Sequence, residues 1–148
     1  MEISKLDDNK LKKAIELQKL DRDNESLSIL KELNKKNPKS YKISGILGLV
    51  LGKIGKRKEA IPYLNFATLN SKYEHFHLSL YISYAEIEEY DRAFKVLFNY
   101  LEKYSADLFQ DTLKELLEGL LEGYGITYRD KIIFYAKKNH ILIPKGLD

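Results

Sequence analysis

The chain predicts an all-α fold, an array of antiparallel helix hairpins, and three observations carry the prediction. Apolar residues recur at helical spacing on both sides of Gly55 across Ser40–Asn70, with small residues (Gly48, Ala60, Ala67) where two helices must touch. Ser26, Ala60 and Ala93, each a small residue early in a second helix, are separated by 34 and 33 positions. Only three prolines interrupt 148 residues. One hairpin cannot bury both apolar faces alone, so it needs neighbours of the same kind.

In order, Asn9–Leu20 holds Leu11, Ala14, Ile15, Leu17 and Leu20 on a helical stripe. Asn24 is the expected N-cap of a second helix, which ends before Asn37-Pro38 because proline disfavours a helical residue ahead of it. In the second hairpin, Gly45, Gly48 and Gly52 leave one face nearly free of side chains. Each glycine costs about 1 kcal/mol of helix propensity against alanine, so keeping three predicts another backbone packed there. Pro62 lies beyond the free N–H groups of a helix starting at Arg57, which predicts a kink or a delayed start between Lys58 and Pro62. Ser71-Lys72-Tyr73-Glu74 fits a capping box opening the third hairpin. Its stripes are Phe76, Leu80, Tyr81, Tyr84 and Ile87, then Ala93, Phe94, Leu97, Phe98 and Leu101. Ser105 is the expected cap of a helix from Ala106 to about Glu122, closed by Gly123-Tyr124-Gly125. Thr127–Asp130 opens a last helix to about Asn139, and His140–Asp148 should be extended, packed over the end of the stack. The expectation is one domain, 1–148, with about eight helices in hairpins near 9–37, 40–70, 72–104 and 106–139 and a tail at 140–148.

A domain of this size buries roughly 70% of its unfolded surface. With 44% apolar and 32% charged residues the composition is that of a soluble globular protein. No cysteine is present, which removes disulfides, zinc-thiolate sites and thiol nucleophiles. The N-terminus has no apolar stretch suited to a signal peptide, and the longest apolar run, Ile43–Gly52, is about half a bilayer span. These readings predict a cytoplasmic protein with no membrane partner. Residues 1–74 carry 16 Lys/Arg against 10 Asp/Glu, and residues 75–148 carry 9 against 12. The polarity could steer a charged partner, although charge runs on helices commonly face water.

Leu47, Gly48, Leu51, Gly55, Ala60, Ile61, Tyr63, Leu64 and Ala67, followed by Leu80, Tyr84, Tyr90, Ala93, Phe94 and Leu97, resemble the tetratricopeptide-repeat (TPR) family, whose repeat is 34 residues. The resemblance covers Lys39–Tyr104 well, residues 8–38 loosely and 106–139 only as a helix pair. Ser44 and His77 stand where the family has a large aromatic, and Lys72 where it has a closing proline. The resemblance implies a right-handed TPR-like α-solenoid whose first helices line a concave groove that binds other proteins. It places Lys42, Gly45, Ile46, Leu49 and Lys53 on the groove from the second repeat. His75, Leu78, Ser79, Ile82 and Glu86 line it from the third, and Leu11, Lys12 and Ile15 from the first. An apolar centre with charged edges suits an amphipathic helix or extended peptide; the alternative is that the protein's own segments cover Ile46, Leu49 and Ile82. The family's clamp for an acidic tail is not expected, because its asparagine positions fall on Ile15 and Ile46 and its Lys and Arg positions on His75 and Ser79.

An enzyme is not expected, nor a metal or cofactor. His75 and His77 at i, i+2 point to different helix faces, and His140 is alone in the tail. Gly52-Lys53 and Gly55-Lys56 lack both the glycine five residues earlier and the following Ser/Thr of a phosphate loop. Asp111, Glu115, Glu118 and Glu122 form an acidic stripe at i, i+4, i+7 and i+11, which either meets water and nearby lysines or faces a basic partner. The other functional class is nucleic-acid binding through the basic first half (Lys10, Lys12, Lys13, Lys19, Lys35, Lys36, Lys39, Lys53, Lys56, Arg57, Lys58), which carries few arginines and no recognition motif. Within protein binding, a general adaptor and a dedicated chaperone or antagonist both fit.

Overall fold

The computed structural model describes residues 3–147. Regular structure among them consists of eight α-helices and one 3-10 turn, with no strand. The helices are α1 Lys5–Lys19, α2 Asp23–Lys36, α3 Tyr41–Lys53, α4 Arg57–Asn70, α5 Glu74–Glu86, α6 Tyr90–Lys103, α7 Phe109–Leu121 and α8 Arg129–Lys138; the 3-10 turn is Ile126–Tyr128. No helix among the described residues is long and apolar enough to cross a membrane.

The odd-numbered helices end alike. Asp21, Gly55, Glu88 and Gly123 hold positive φ of 59°, 86°, 63° and 92°, the left-handed region that L-residues seldom occupy. The amide after each donates to a carbonyl five residues back: Arg22 to Leu17, Lys56 to Leu51 and Glu89 to Tyr84 at 2.9 Å, and Tyr124 to Gly119 at 2.8 Å. These bonds satisfy carbonyls that a helix end would leave open, the Schellman arrangement. The four joints recur at 34, 33 and 35 residues. At the first three, the next helix begins two residues later, at Asp23, Arg57 and Tyr90.

The chain divides into two compact units, residues 1–93 and 94–148. In the first, α1 packs on α2, α2 on α3, α3 on α4 and α4 on α5, and the odd-numbered helices also touch, α1 with α3 and α3 with α5. Leu11, Ala14, Leu30, Ile43, Leu47, Leu51, Ala60, Leu64 and Ala67 are buried between them. Buried serines tighten two of these crossings. The Ser26 hydroxyl donates to the Ala14 carbonyl (2.7 Å) and Ser44 to the Tyr63 carbonyl (2.9 Å), so each polar group enters the core with a partner. The glycine face of α3 is occupied, mostly by side chains, and at Gly48 the expected backbone is also close, with the Leu64 amide nitrogen 3.4 Å from where a Cβ would be. A Cβ on Gly45 would lie 2.3 Å from the Phe76 ring, one on Gly48 2.5 Å from Leu64 and one on Gly52 2.5 Å from the Arg57 guanidinium.

Several helix ends differ from expectation. α4 starts at Arg57 with Pro62 inside it, so the start is not delayed. The carbonyl that loses its helical donor belongs to exposed Lys58, where water can replace the bond. Arg22, not Asn24, caps α2, and no side chain caps it. Tyr73 caps α5, again without a side-chain bond, because the Ser71 hydroxyl accepts from the Tyr73 amide (3.2 Å) in a tight local turn. α1 begins earlier than expected because Ser4 accepts from the Asp7 amide (3.1 Å).

Asp7 then clasps the ends of the first hairpin. Its buried carboxylate accepts from Asn37 Nδ2 (3.1 Å) and Lys36 Nζ (3.2 Å). The Asn37 hydrogen bond is the main reason its pKa lies below 3.8; burial pushes the other way, and Lys36 adds to the lowering. A carboxylate with a depressed native pKa contributes stability above its unfolded value, near 4, and loses it as pH falls through the native value. Asp7→Asn is therefore expected to destabilise the chain at about pH 7 and to show a shrinking gap from wild type toward about pH 3. Urea titrations at the two pH values measure it, and an unchanged gap would contradict the assignment.

The second unit holds α6 from Phe94 onward, α7, the 3-10 turn, α8 and the tail. α7 starts at Phe109, later than Ser105 capping would give, and the Ala106 amide donates to Asn139 Oδ1 (2.7 Å) outside any helix. Aromatic rings stack between α6 and the α8 region, Phe94 on Tyr128 at 4.1 Å and Phe98 on Tyr135 at 5.6 Å. The tail is irregular over 141–144 and then turns at Lys145-Gly146 instead of staying extended, with Gly146 at φ 101°. Ile141 and Leu147 are buried, and Arg129 Nη2 donates to the Leu147 carbonyl (2.8 Å). Asp148 lies outside the described residues.

Candidate partner-binding surface

The recurring joints set α1, α3 and α5 in register. Counting back from Asp21, Gly55 and Glu88 aligns Ile15, Leu49 and Ile82, and all three are half-buried. Since α1 touches α3 and α3 touches α5, these residues form one aliphatic stripe across three neighbouring helices. Ile46 and Leu78, also half-buried, lie on the same faces.

The polar positions divide into two ends. Toward the helix N-termini are Asp8, Lys42 and His75, in register, with Lys12 one turn inside; Lys42, Lys12 and His75 are exposed. Lys12 pairs with Asp8 at 3.2 Å. The His75 ring stacks on Tyr73, centroids 4.8 Å apart. Toward the C-termini are Lys19, Lys53 and Glu86, also in register. Lys53 Nζ donates to Asp21 (3.0 Å), Asp23 (3.2 Å) and the Gln18 carbonyl (3.0 Å), tying α3 to the α1–α2 joint. The Asp21 hydrogen bond foremost holds its pKa above 10.5, with Asp23 assisting against partial desolvation. Glu86 accepts from Arg57 Nε at 2.9 Å.

Three expected groove residues are not available to a ligand. Leu11 is fully buried, Gly45 lies under the Phe76 ring, and Ser79 is buried with its hydroxyl 3.3 Å from where a Cβ on Gly52 would be. Each sits where a neighbouring helix closes over a face that one helix alone would expose. No protein-family model matches the chain, and comparison with curated proteins gives no match. The surface therefore stands on its own chemistry.

The ion pairs were missed from sequence. Arg57 and Glu86 are 29 residues apart and Lys53 and Asp21 are 32 apart, so no local spacing announces either contact. At the α4 start, Gly55, Lys56, Arg57, Glu86 and Ile87 line an open depression. His77, half-buried, has Nε2 2.7 Å from the Ser71 carbonyl, which gives it a place in the α4–α5 loop. The stripe offers van der Waals contact and desolvation with charged groups at both margins, the chemistry of apolar side-chain docking.

Proposed function

We propose that this chain is a protein-binding module of TPR-like architecture, a right-handed array in which the stripe Ile15–Leu49–Ile82, with Ile46 and Leu78, receives a helix or extended peptide of a partner. The observation that carries the reading is the common register of half-buried aliphatic residues on three helices, α1 touching α3 and α3 touching α5. The 33–35-residue recurrence of the helix joints supports the family resemblance. Lys42, His75, Lys53 and Glu86 frame the stripe and orient the bound segment; Lys53 and Glu86 do so from fixed positions, because each is already held by an ion pair. The role is binding without catalysis, as an adaptor or a dedicated chaperone or antagonist, in the cytoplasm.

The nucleic-acid alternative has less to draw on. Lys12, Lys31, Lys36, Lys53 and Arg57 of the basic half each meet a carboxylate of the chain itself. Selection of peptides from a random display library tests the proposal. Peptides recovered on the native protein should bind Leu49→Lys or Ile82→Lys at least about tenfold more weakly, a loss of about 1.4 kcal/mol or more. Equal affinity for these variants, with helical content retained, would move the binding surface elsewhere.

A further inference from the structure

The second unit leaves large apolar side chains in solvent on two helical segments. Leu121 at the end of α7 is 50% exposed, and Tyr124 and Ile126 just beyond it are 70% and 64% exposed. Phe134 on α8 is 59% exposed. The charges around them name an occupant. The exposed face of α7 and its C-cap holds Asp111, Lys114, Glu115, Glu118 and Glu122, four carboxylates and one lysine, net −3. On α8 the charged residues are Arg129, Asp130, Lys131, Lys137 and Lys138, four cations and one carboxylate, net +3. Helical spacing puts Phe134 among Lys131, Lys137 and Lys138, and Leu121 beside the acidic row.

None of the four α7 carboxylates joins an ion pair among the described residues. On α8, Arg129 pairs with its neighbour Asp130 (3.7 Å) and donates to the Leu147 carbonyl (2.8 Å), and Lys131 and Lys138 lie over the Phe98 and Tyr135 rings at 5.5 and 5.8 Å. Opposite charge on two helices of one unit, each beside exposed apolar surface, is self-complementary. Residues 94–148 hold eight Lys/Arg and eight Asp/Glu, so the unit has no net charge to oppose its own copy.

We propose that the second unit docks a second copy of this chain, α7 of one protomer against α8 of its partner and the reverse, about a two-fold axis. A two-fold interface uses each contact twice, so the acidic face meets the basic face at two symmetric places while Leu121, Tyr124 and Phe134 leave water. This pairing does not involve the stripe of the first unit.

Sedimentation of the full chain tests it. Wild type should dimerise, with the dissociation constant rising about tenfold or more between about 0.05 M and about 0.5 M salt as surface charges are screened. Glu115→Lys/Glu118→Lys carries two basic faces and Lys131→Glu/Lys138→Glu two acidic ones, so each alone should be monomeric. Mixed at equal concentration they should form a heterodimer, because every face again meets its opposite; this also shows that both variants are folded. A wild type monomeric at about 0.5 mM, which includes the case of a different protein as occupant, overturns the proposal. Dimerisation indifferent to both charge reversals, or no heterodimer from the mixture, overturns it as well.

Discussion

Gly45→Ala is expected to destabilise the first unit, although alanine is the better helix former. The substitution gains about 1 kcal/mol of helix propensity. Against that, the new methyl would stand 2.3 Å from Phe76 Cζ and within 2.6 Å of two more ring carbons. Phe76 is only 4% exposed and meets Tyr73 edge-on at 4.9 Å, so its ring has little room to withdraw. Overpacking of this kind costs about 1–3 kcal/mol, and the balance falls on the unfavourable side. Gly45→Val adds two more carbons and loses the propensity gain, so its cost should reach about 3 kcal/mol or more. Denaturant titration followed by circular dichroism gives both numbers. Smaller side chains at position 76 supply the control: in a Phe76→Leu background, Gly45→Ala should cost less than in wild type. A stabilised Gly45→Ala would mean that α5 moves off α3 freely and that the stripe's geometry is soft.

Phe109→Ala is expected to cost about 3–5 kcal/mol in the second unit. Phe109 is the largest of the fully buried side chains and the first residue of α7, its ring 5.4 Å from that of Tyr100. Removing it opens a cavity at the position where α7 begins, with no side-chain cap at Leu108 to hold the helix start. Amide hydrogen exchange over α7 and α8 reports the loss locally, as protection factors reduced by roughly two to four powers of ten for amides that exchange through opening of this unit. Leu142→Ala, at a tail side chain 90% exposed and outside the proposed dimer face, is the counterpart and should stay within about 0.5 kcal/mol. A small effect at Phe109 would mean that the unit's core collapses to fill the space.

Helical hairpins were readable in the sequence because their signal is local and redundant. Leu47, Leu51, Leu64 and Ala67 state the period several times over, and all four are buried. Helix starts were less readable because a cap is one hydrogen bond. Ser71 and Ser105 had the right chemistry, yet Ser71 bonds Tyr73, and the Ala106 amide goes to Asn139, 33 residues away. Pro62 does not delay the start of α4, because the lost bond falls on its exposed side, at Lys58. Ile46, Leu49, Leu78 and Ile82, expected together on the first helices of their hairpins, are all half-buried. Leu11, Gly45 and Ser79 were misread because a single helix wheel cannot say how far its neighbours reach around it.

The four helix joints have a further consequence. Each is closed from main chain to main chain, and its turning residue is Asp, Gly, Glu or Gly. Geometry held in this way survives changes of letter, so the hairpins can keep one shape while their spellings wander apart. The kinship among them is then better tested by overlaying their backbones than by aligning their residues.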